Sequence, residues 1–435
     1  MALRLDPAIA EAIARDERLW SDFTAICDCG GRQAGSGSEA RARALIADRL
    51  AAAGGGATVQ RHRVDYRGWH ATRAELHLAA AGSRPCHPLI GGAATAPGGL
   101  EAEVIDLGRG TPAEFQAHGP DIPGRVVLVR HEPMFAAGTI HRGAKYDMAR
   151  AAGAVGFLIA GPLPGGLVAG AVGWDEKPGI PALGIAPETG ALLCRGAAGW
   201  PRARVRIDVT EAPAVAENLI LEKPGREPGW IVLSAHLDGH AISESAIDNA
   251  SGVAVVLAVL RALGPEVRRW RLGLRVALFN VEEWGLVGSA RYVGELGRAD
   301  ARAIALDVNL DSIAGSPDLT ALTSGFAELE PFLLDVAAAA GQALRVVRPL
   351  MVNSDHANFA KAGIPACRLV AGFDDPGARL RHVLTAADSR DKVTPDELRQ
   401  AAQLSAAIVA AACQAAPQMT AGWRGSGSDF GRPEL

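Results

Sequence analysis

Leu233-Ser-Ala-His236-Leu-Asp238-Gly runs into Ser245-Ala-Ile-Asp248-Asn-Ala-Ser-Gly252, and about thirty residues later comes Asn280-Val-Glu282-Glu283-Trp-Gly-Leu-Val-Gly-Ser289. Apolar, β-like runs here give way to a His, an Asp or a Glu. Repeated along a chain, that pattern describes an α/β sheet with its polar groups presented at the strand ends, where ligand sites of open sheets collect. A neutral imidazole with hard carboxylates suits Zn²⁺ and hydrolytic chemistry. The doubled Glu282-Glu283 offers one carboxylate to hold a metal and a neighbour to move protons.

Outward from this core the pattern continues. Beyond Glu217, strands and helices alternate over 230–235, 250–263, 272–280, 303–310, 329–341 and 395–412, which predicts a sheet with helices on its faces. Residues 1–55 read as helices, one opened by Asp6-Pro7 and another near Ser38. The Gly/Ser stretch 30–37 between them reads as a plain connecting loop, because neither a strand nor a Lys-Ser/Thr supports phosphate binding. Over 58–78, Val, Tyr, Trp and His alternate with polar residues, which suggests a strand pair. Residues 84–212 are rich in Gly and Pro with short apolar runs, as in Gly124-Arg-Val-Val-Leu-Val-Arg130, and read as an inserted, mostly β module with one helix near 144–152. The expected division is 1–83 plus 213–417 as one domain, 84–212 inserted into it, and 418–435 as a loose polar tail.

Composition narrows the function classes. A chain of 435 residues exceeds one ordinary core, and 49% apolar with 21% charged residues describes a globular enzyme, not a disordered chain. A formal charge of -4 makes no electrostatic case for nucleic acid or an anionic membrane. Basic residues are nearly all Arg, which together with the many Ala and Gly reads as a base-composition bias and not as an arginine-based binding site. The N-terminal residues lack the layout of a signal peptide, so a cytoplasmic location is expected. Six scattered cysteines would stay reduced there, and Cys27-Asp-Cys29 without a second pair reads as structural thiols.

Each candidate residue has an ordinary reading by itself. Asp-Asn-Ala-Ser-Gly is a good helix cap, and His236 or Asp311 alone would be polar residues at strand ends. In series they fit a two-metal hydrolase, which needs a carboxylate shared by both ions and further ligands on each. His236 is then a terminal ligand, and Asp238, pointing the same way from extended backbone, holds its other nitrogen. Asp248 suits the bridging role, Glu283 binds one ion and leaves Glu282 as general base, and Asp311 closes Leu306-Asp307-Val-Asn-Leu-Asp311 as the other ligand.

At these residues the chain resembles the zinc aminopeptidase family that includes bacterial leucyl aminopeptidases, aminopeptidase Y and the glutamate carboxypeptidase II relatives. The resemblance covers about 1–80 and 213–415, while the middle segment looks like the protease-associated domain often inserted in such enzymes. It implies a three-layer α/β/α mixed-sheet zinc-peptidase domain holding two Zn²⁺, with His236, Asp248, Glu283 and Asp311 as ligands and Glu282 as base. Gly285-Leu-Val-Gly-Ser289 and Ser354-Asp-His356-Ala-Asn-Phe359 match family patterns as well. The family's last ligand is a His in His-Ser/Thr-x-x-Asp-Thr. Here Arg381-His382-Val-Leu384-Thr-Ala-Ala-Asp388-Ser389 places Leu384 at that position, so His382, two residues upstream, is taken as the fifth ligand. His356 or His240 could substitute, and one zinc is expected instead of two if none serves. Otherwise His356 reads as a supporting residue, His240 as a loop or pocket-edge residue, and the seven remaining histidines as structural. Arg381 sits where some relatives carry an oxyanion-assisting hydroxyl.

The implied activity is an aminopeptidase acting on short peptides through zinc-activated water. Hydrolysis of a non-peptide or N-acyl amide, glutaminyl cyclisation on the same fold, and a metal-free binding scaffold remain as alternatives. The expected partner is a peptide or small amide substrate, with no nucleic acid and no membrane.

Overall fold

The computed structural model describes residues 5–173, 177–194 and 200–425. Its centre is a run of parallel strands in the order Gly273–Phe279, Trp230–His236, Ile304–Leu310, Ala366–Ala371. Nearly every residue of these strands is buried, as expected when helices cover both faces of a parallel sheet. Leu319–Leu322 adds antiparallel at one side and Arg202–Lys223 antiparallel at the other, which makes the sheet mixed.

The helix Ser251–Leu263 packs on this sheet with only Arg261 and Ala262 not buried. Its Val-Ala-Val-Val-Leu-Ala-Val-Leu run has no polar face because it needs none. The window Ala246–Leu263 is apolar enough to cross a membrane, but 83% of it is buried inside the protein, as befits a core helix. Thr394 opens the long helix Pro395–Gln414 with a complete capping box with Glu397.

Three expectations change. Residues 58–78 form no strand pair: Gln60–Leu78 is one strand, paired antiparallel with Arg202–Lys223 from Gln60 opposite Ile220 to Leu78 opposite Ala203. Gly68 allows close strand packing, since a Cβ there would meet the Ala214 Cβ at 2.8 Å. This ribbon ties the two parts of the molecule together. Leu100–Asp106 pairs with its 202–205 end and Gly273–Phe279 with its 219–223 end.

The inserted segment is also more helical than expected. Leu100–Asp106, Val126–Arg130, Gly156–Ala160 and Ala182–Ile185 are parallel neighbours, accompanied by the helices Pro112–Ala117, Arg142–Ala151 and Pro187–Cys194. Its apolar runs are short because they are doubly covered parallel strands, not halves of hairpins. The expected tail begins packed: Pro417–Gly422 is helical and Trp423 is 1% exposed, its ring 4.7 Å from that of Phe332. The expectation for 426–435 lies outside the described residues.

Candidate metal centre

Three adjacent strands deliver the site. His236 is the last residue of its strand and lies level with Phe279, the last of the next. Beyond Phe279 the chain turns sharply, with Val281 at φ 60°, and presents Glu282 and Glu283. Asn309 pairs with Ser234, so Asp311, two residues on, ends beside His236, followed by Ser312 at φ 55°. Positive φ at a β-branched residue is strained, and such strain concentrates where a site must be held. Asp248 arrives separately, from the turn that opens the helix Ser251–Leu263.

The five side chains meet. His236, Glu282 and Asp311 form one group and His236, Asp248 and Glu283 a second, each with ligand atoms within 4.8 Å of one another. His236 Nε2 lies 2.9 Å from Asp248 Oδ1 and 3.6 Å from Asp311 Oδ1. Yet His236 Nε2, Asp248 Oδ1 and Glu283 Oε1 are buried without an aligned hydrogen-bond partner among the described residues. Burial, reinforced by neighbouring carboxylates, drives the carboxyls of Glu282 and Glu283 well above the usual range. Burial opposes a charge on His236, but Glu282 and the surrounding carboxylates raise it well above its ordinary value. Asp311 is pulled down despite its burial by Arg368, 3.2 Å away. Crowded buried acids with orphaned lone pairs facing one another are what a divalent cation resolves, and the imidazole-carboxylate donor set fits zinc.

The groups that hold the cluster were only partly foreseen. Asp238 accepts the backbone N–H of Glu282 at 3.1 Å and of Glu283 at 3.3 Å, while its oxygen lies 3.7 Å from His236 Nδ1. It therefore fixes the Glu-Glu turn more directly than the imidazole. Asp388 accepts the N–H of Ile247 at 2.7 Å and of Asp248 at 3.2 Å, and burial pushes its carboxyl up to about 8. Arg32 is fully buried and donates to the carbonyls of Leu237, Glu244 and Ser245, so residues 30–37 are more than a connector.

His382 is not brought to the cluster. The turn Arg379–His382 leaves it among Lys392, Arg381, Asp391 and Arg379, and Val383 and Leu384 face the cavity instead, with Leu384 at φ 64°. A displacement of two residues is not absorbed because His382 is held as the last residue of that turn. Arg381 is exposed, bonds Gly377 and does not line the cavity, so no oxyanion role falls to it. His356 is buried behind the site, where Arg368 and Asp311 are its charged neighbours. His240 lies in the loop after the strand Trp230–His236, buried and not at the pocket edge: it is 3% exposed, with Nε2 2.6 Å from Glu283 Oε2. His131 and His141, read as structural, line the cavity together with Arg142. That cavity, about 230 Å³, opens over the cluster between the inserted segment and the sheet edge.

Overlapping imidazole-carboxylate groups at the C-terminal edge of an open α/β sheet define a metallohydrolase centre of the dinuclear type. Residues 218–409 match the family model described as Peptidase family M28, and residues 88–193 match that of the PA domain. The stretch 218–409 thus carries a peptidase family M28 domain, and 88–193, ahead of it in the chain, a PA domain. It is 25% identical to aminopeptidase YwaD of Bacillus subtilis, over 87% of this chain and 81% of that one. It is 29% identical to the probable lipoprotein aminopeptidase LpqL of Mycobacterium tuberculosis, over 49% of this chain and 45% of that one. The zinc aminopeptidase structure from Bacillus subtilis called BSAP superposes with a TM-score of 0.74 at 24% identity, covering 94% of this chain and 97% of that one.

Proposed function

We propose that this chain is a zinc-dependent aminopeptidase that releases N-terminal residues from short peptides. The observation that carries the reading is the pair of overlapping groups, His236–Glu282–Asp311 and His236–Asp248–Glu283, beneath one cavity. The names of the similar proteins, an aminopeptidase and a zinc aminopeptidase, support it.

His236, Asp248, Glu283 and Asp311 would hold the zinc, which supplies Lewis acidity and lowers the pKa of water. Glu282, its backbone fixed by Asp238, takes the proton from the attacking water and returns it to the departing amine. Met134, Phe135, Leu286, Val352, Val383 and Leu384 give the cavity an apolar wall for the substrate side chain. A cytoplasmic setting belongs to this reading and is supported by six free thiols.

The test pairs zinc content per chain with hydrolysis of leucyl anilide and leucinamide. Glu282→Gln should lower kcat by about 10²- to 10⁴-fold while the metal content stays. If the zinc-loaded chain cleaves neither substrate faster than Glu282→Gln does, the reading fails.

A further inference from the structure

Counting donors leaves one ion of the cluster short. His236 Nε2 lies 2.9 Å from Asp248 Oδ1 and 3.6 Å from Asp311 Oδ1, so these three side chains complete one ion. A second ion, sharing Asp248, then has only Glu283 besides, with Glu282 kept for the proton. That makes two protein ligands where a catalytic zinc takes three. The position at which the family resemblance expected the missing imidazole holds Leu384, an alkyl group facing the cavity, and His382 is turned away among Lys392, Arg381 and Arg379.

His240 stands where that donor is needed. It is buried, its Nε2 lies 2.6 Å from Glu283 Oε2, and its charged neighbours are Arg142, Asp248, Asp238 and His236. At that distance the two atoms touch, yet Nε2 has no aligned hydrogen-bond partner among the described residues. An N–H···O bond needs a nearly straight approach. A ring nitrogen and a carboxylate oxygen held close but off that line are set as two ligands of one cation. The same misaligned closeness joins His236 Nε2 to Asp248 Oδ1. Glu283 links the two sides, with Oε2 at His240 and Oε1 buried without a partner.

The backbone fixes this placement. Gly239 N–H donates to Arg32 O at 3.1 Å and His240 N–H to Ser245 Oγ at 2.9 Å. Gly31 packs against the same turn, where a Cβ would collide with the His240 carbonyl. Other histidines near the cavity face elsewhere. His131 and His141 have Arg142 and Lys145 as charged neighbours, not the cluster's acids, and His356 sits with Arg368 on the Asp311 side.

We propose that His240 is the third protein ligand of the ion on the Glu283 side, so that both imidazoles of the site come from the single segment His236–His240. This assignment rests on the cluster being a zinc site and holds for any substrate.

Two measurements on the whole chain test it. Zinc-free protein titrated with Zn²⁺ against a chromophoric chelator should take up two ions. In His240→Gln the first should bind as in the wild type and the second about 100-fold more weakly. Cobalt-loaded protein should show two strongly shifted, exchangeable imidazole N–H resonances by proton NMR, from His236 and His240. His240→Gln should keep one of them and His382→Gln both. A histidine that only props Glu283 would weaken the ion without contributing such a resonance. Two ions bound equally well by His240→Gln, or an unchanged cobalt spectrum, overturns the proposal, as does a wild type that takes up one ion and a His240→Gln variant that keeps it. If His240→Gln does not fold, His240→Asp, which offers a different ligand, should bind two ions with one shifted N–H, and two shifted signals there overturn the assignment. A wild type that takes up no zinc sinks the zinc reading and this ligand with it. Both metal results as expected without peptide cleavage sink only the aminopeptidase reading.

Discussion

Replacing Arg32 by Met tests whether the metal cluster depends on a residue that never touches it. Arg32 has no exposed surface and donates Nε to Leu237 O at 3.0 Å, Nη1 to Glu244 O at 2.7 Å and Nη2 to Ser245 O at 2.8 Å. Those carbonyls flank the loop that leaves His236 and returns to Asp248. Each hydrogen bond to a charged group contributes about 1.5–3 kcal/mol, so the gross interaction is roughly 5–9 kcal/mol. Methionine retains much of the volume and relieves the cost of burying a guanidinium, but it leaves three carbonyls without their donor. A net loss of about 3–5 kcal/mol follows, the range for breaking a buried charged network. At roughly 2 °C per kcal/mol for a chain of this size, the melting temperature should fall by about 6–10 °C. Because the loop carries ligands at both ends, zinc affinity should fall about 10- to 100-fold as well. Differential scanning calorimetry of the metal-free and zinc-loaded proteins measures both effects, since zinc should raise the melting temperature less in Arg32→Met than in the wild type. A variant that melts within about 1 °C of wild type and gains as much from zinc would refute the argument.

Three other outcomes are expected. His240→Ala removes the group 2.6 Å from Glu283 Oε2 and should weaken binding of the ion on the Glu283 side about 10- to 100-fold, read as a drop in zinc per chain under competition with a chelator. Trp423→Ala empties a buried site against Phe332 and should destabilise the fold by about 3–5 kcal/mol in urea, whereas a loose tail would lose nothing. Stripping zinc by chelation should lower the melting temperature reversibly, since zinc at a thousandfold excess over Kd contributes about 4 kcal/mol. A melting curve indifferent to chelator and zinc would contradict the cluster as a metal site.

What could be read along the chain and what could not divides by the range of the cause. His236, Glu282, Glu283 and Asp311 were legible because each follows an apolar run that stops at a ligand, and the parallel register brings those ends level, while Asp248 was legible from its Asp-Asn-Ala-Ser-Gly turn before a helix. The strand Gln60–Leu78 was misread because alternation says nothing about a partner more than a hundred residues away. His382 failed because its sequence offset suggested that a loop would yield, whereas the turn Arg379–His382 and the cavity-facing Leu384 are set by packing. Arg32 and Arg142 were invisible for a further reason. In a chain whose basic residues are nearly all arginine, composition hides the guanidiniums buried at the site, among them Arg32, Arg142 and Arg368. Burial separates them from the rest: exposed arginines pair with nearby acids at little gain, as Arg63 does with Asp65. Arg32 and Arg142 lie where charge is costly, so each must answer to carbonyls or to a ligand. Arg32 has its three carbonyls, whereas Arg142 donates to one, Ala171 O, and lines the cavity.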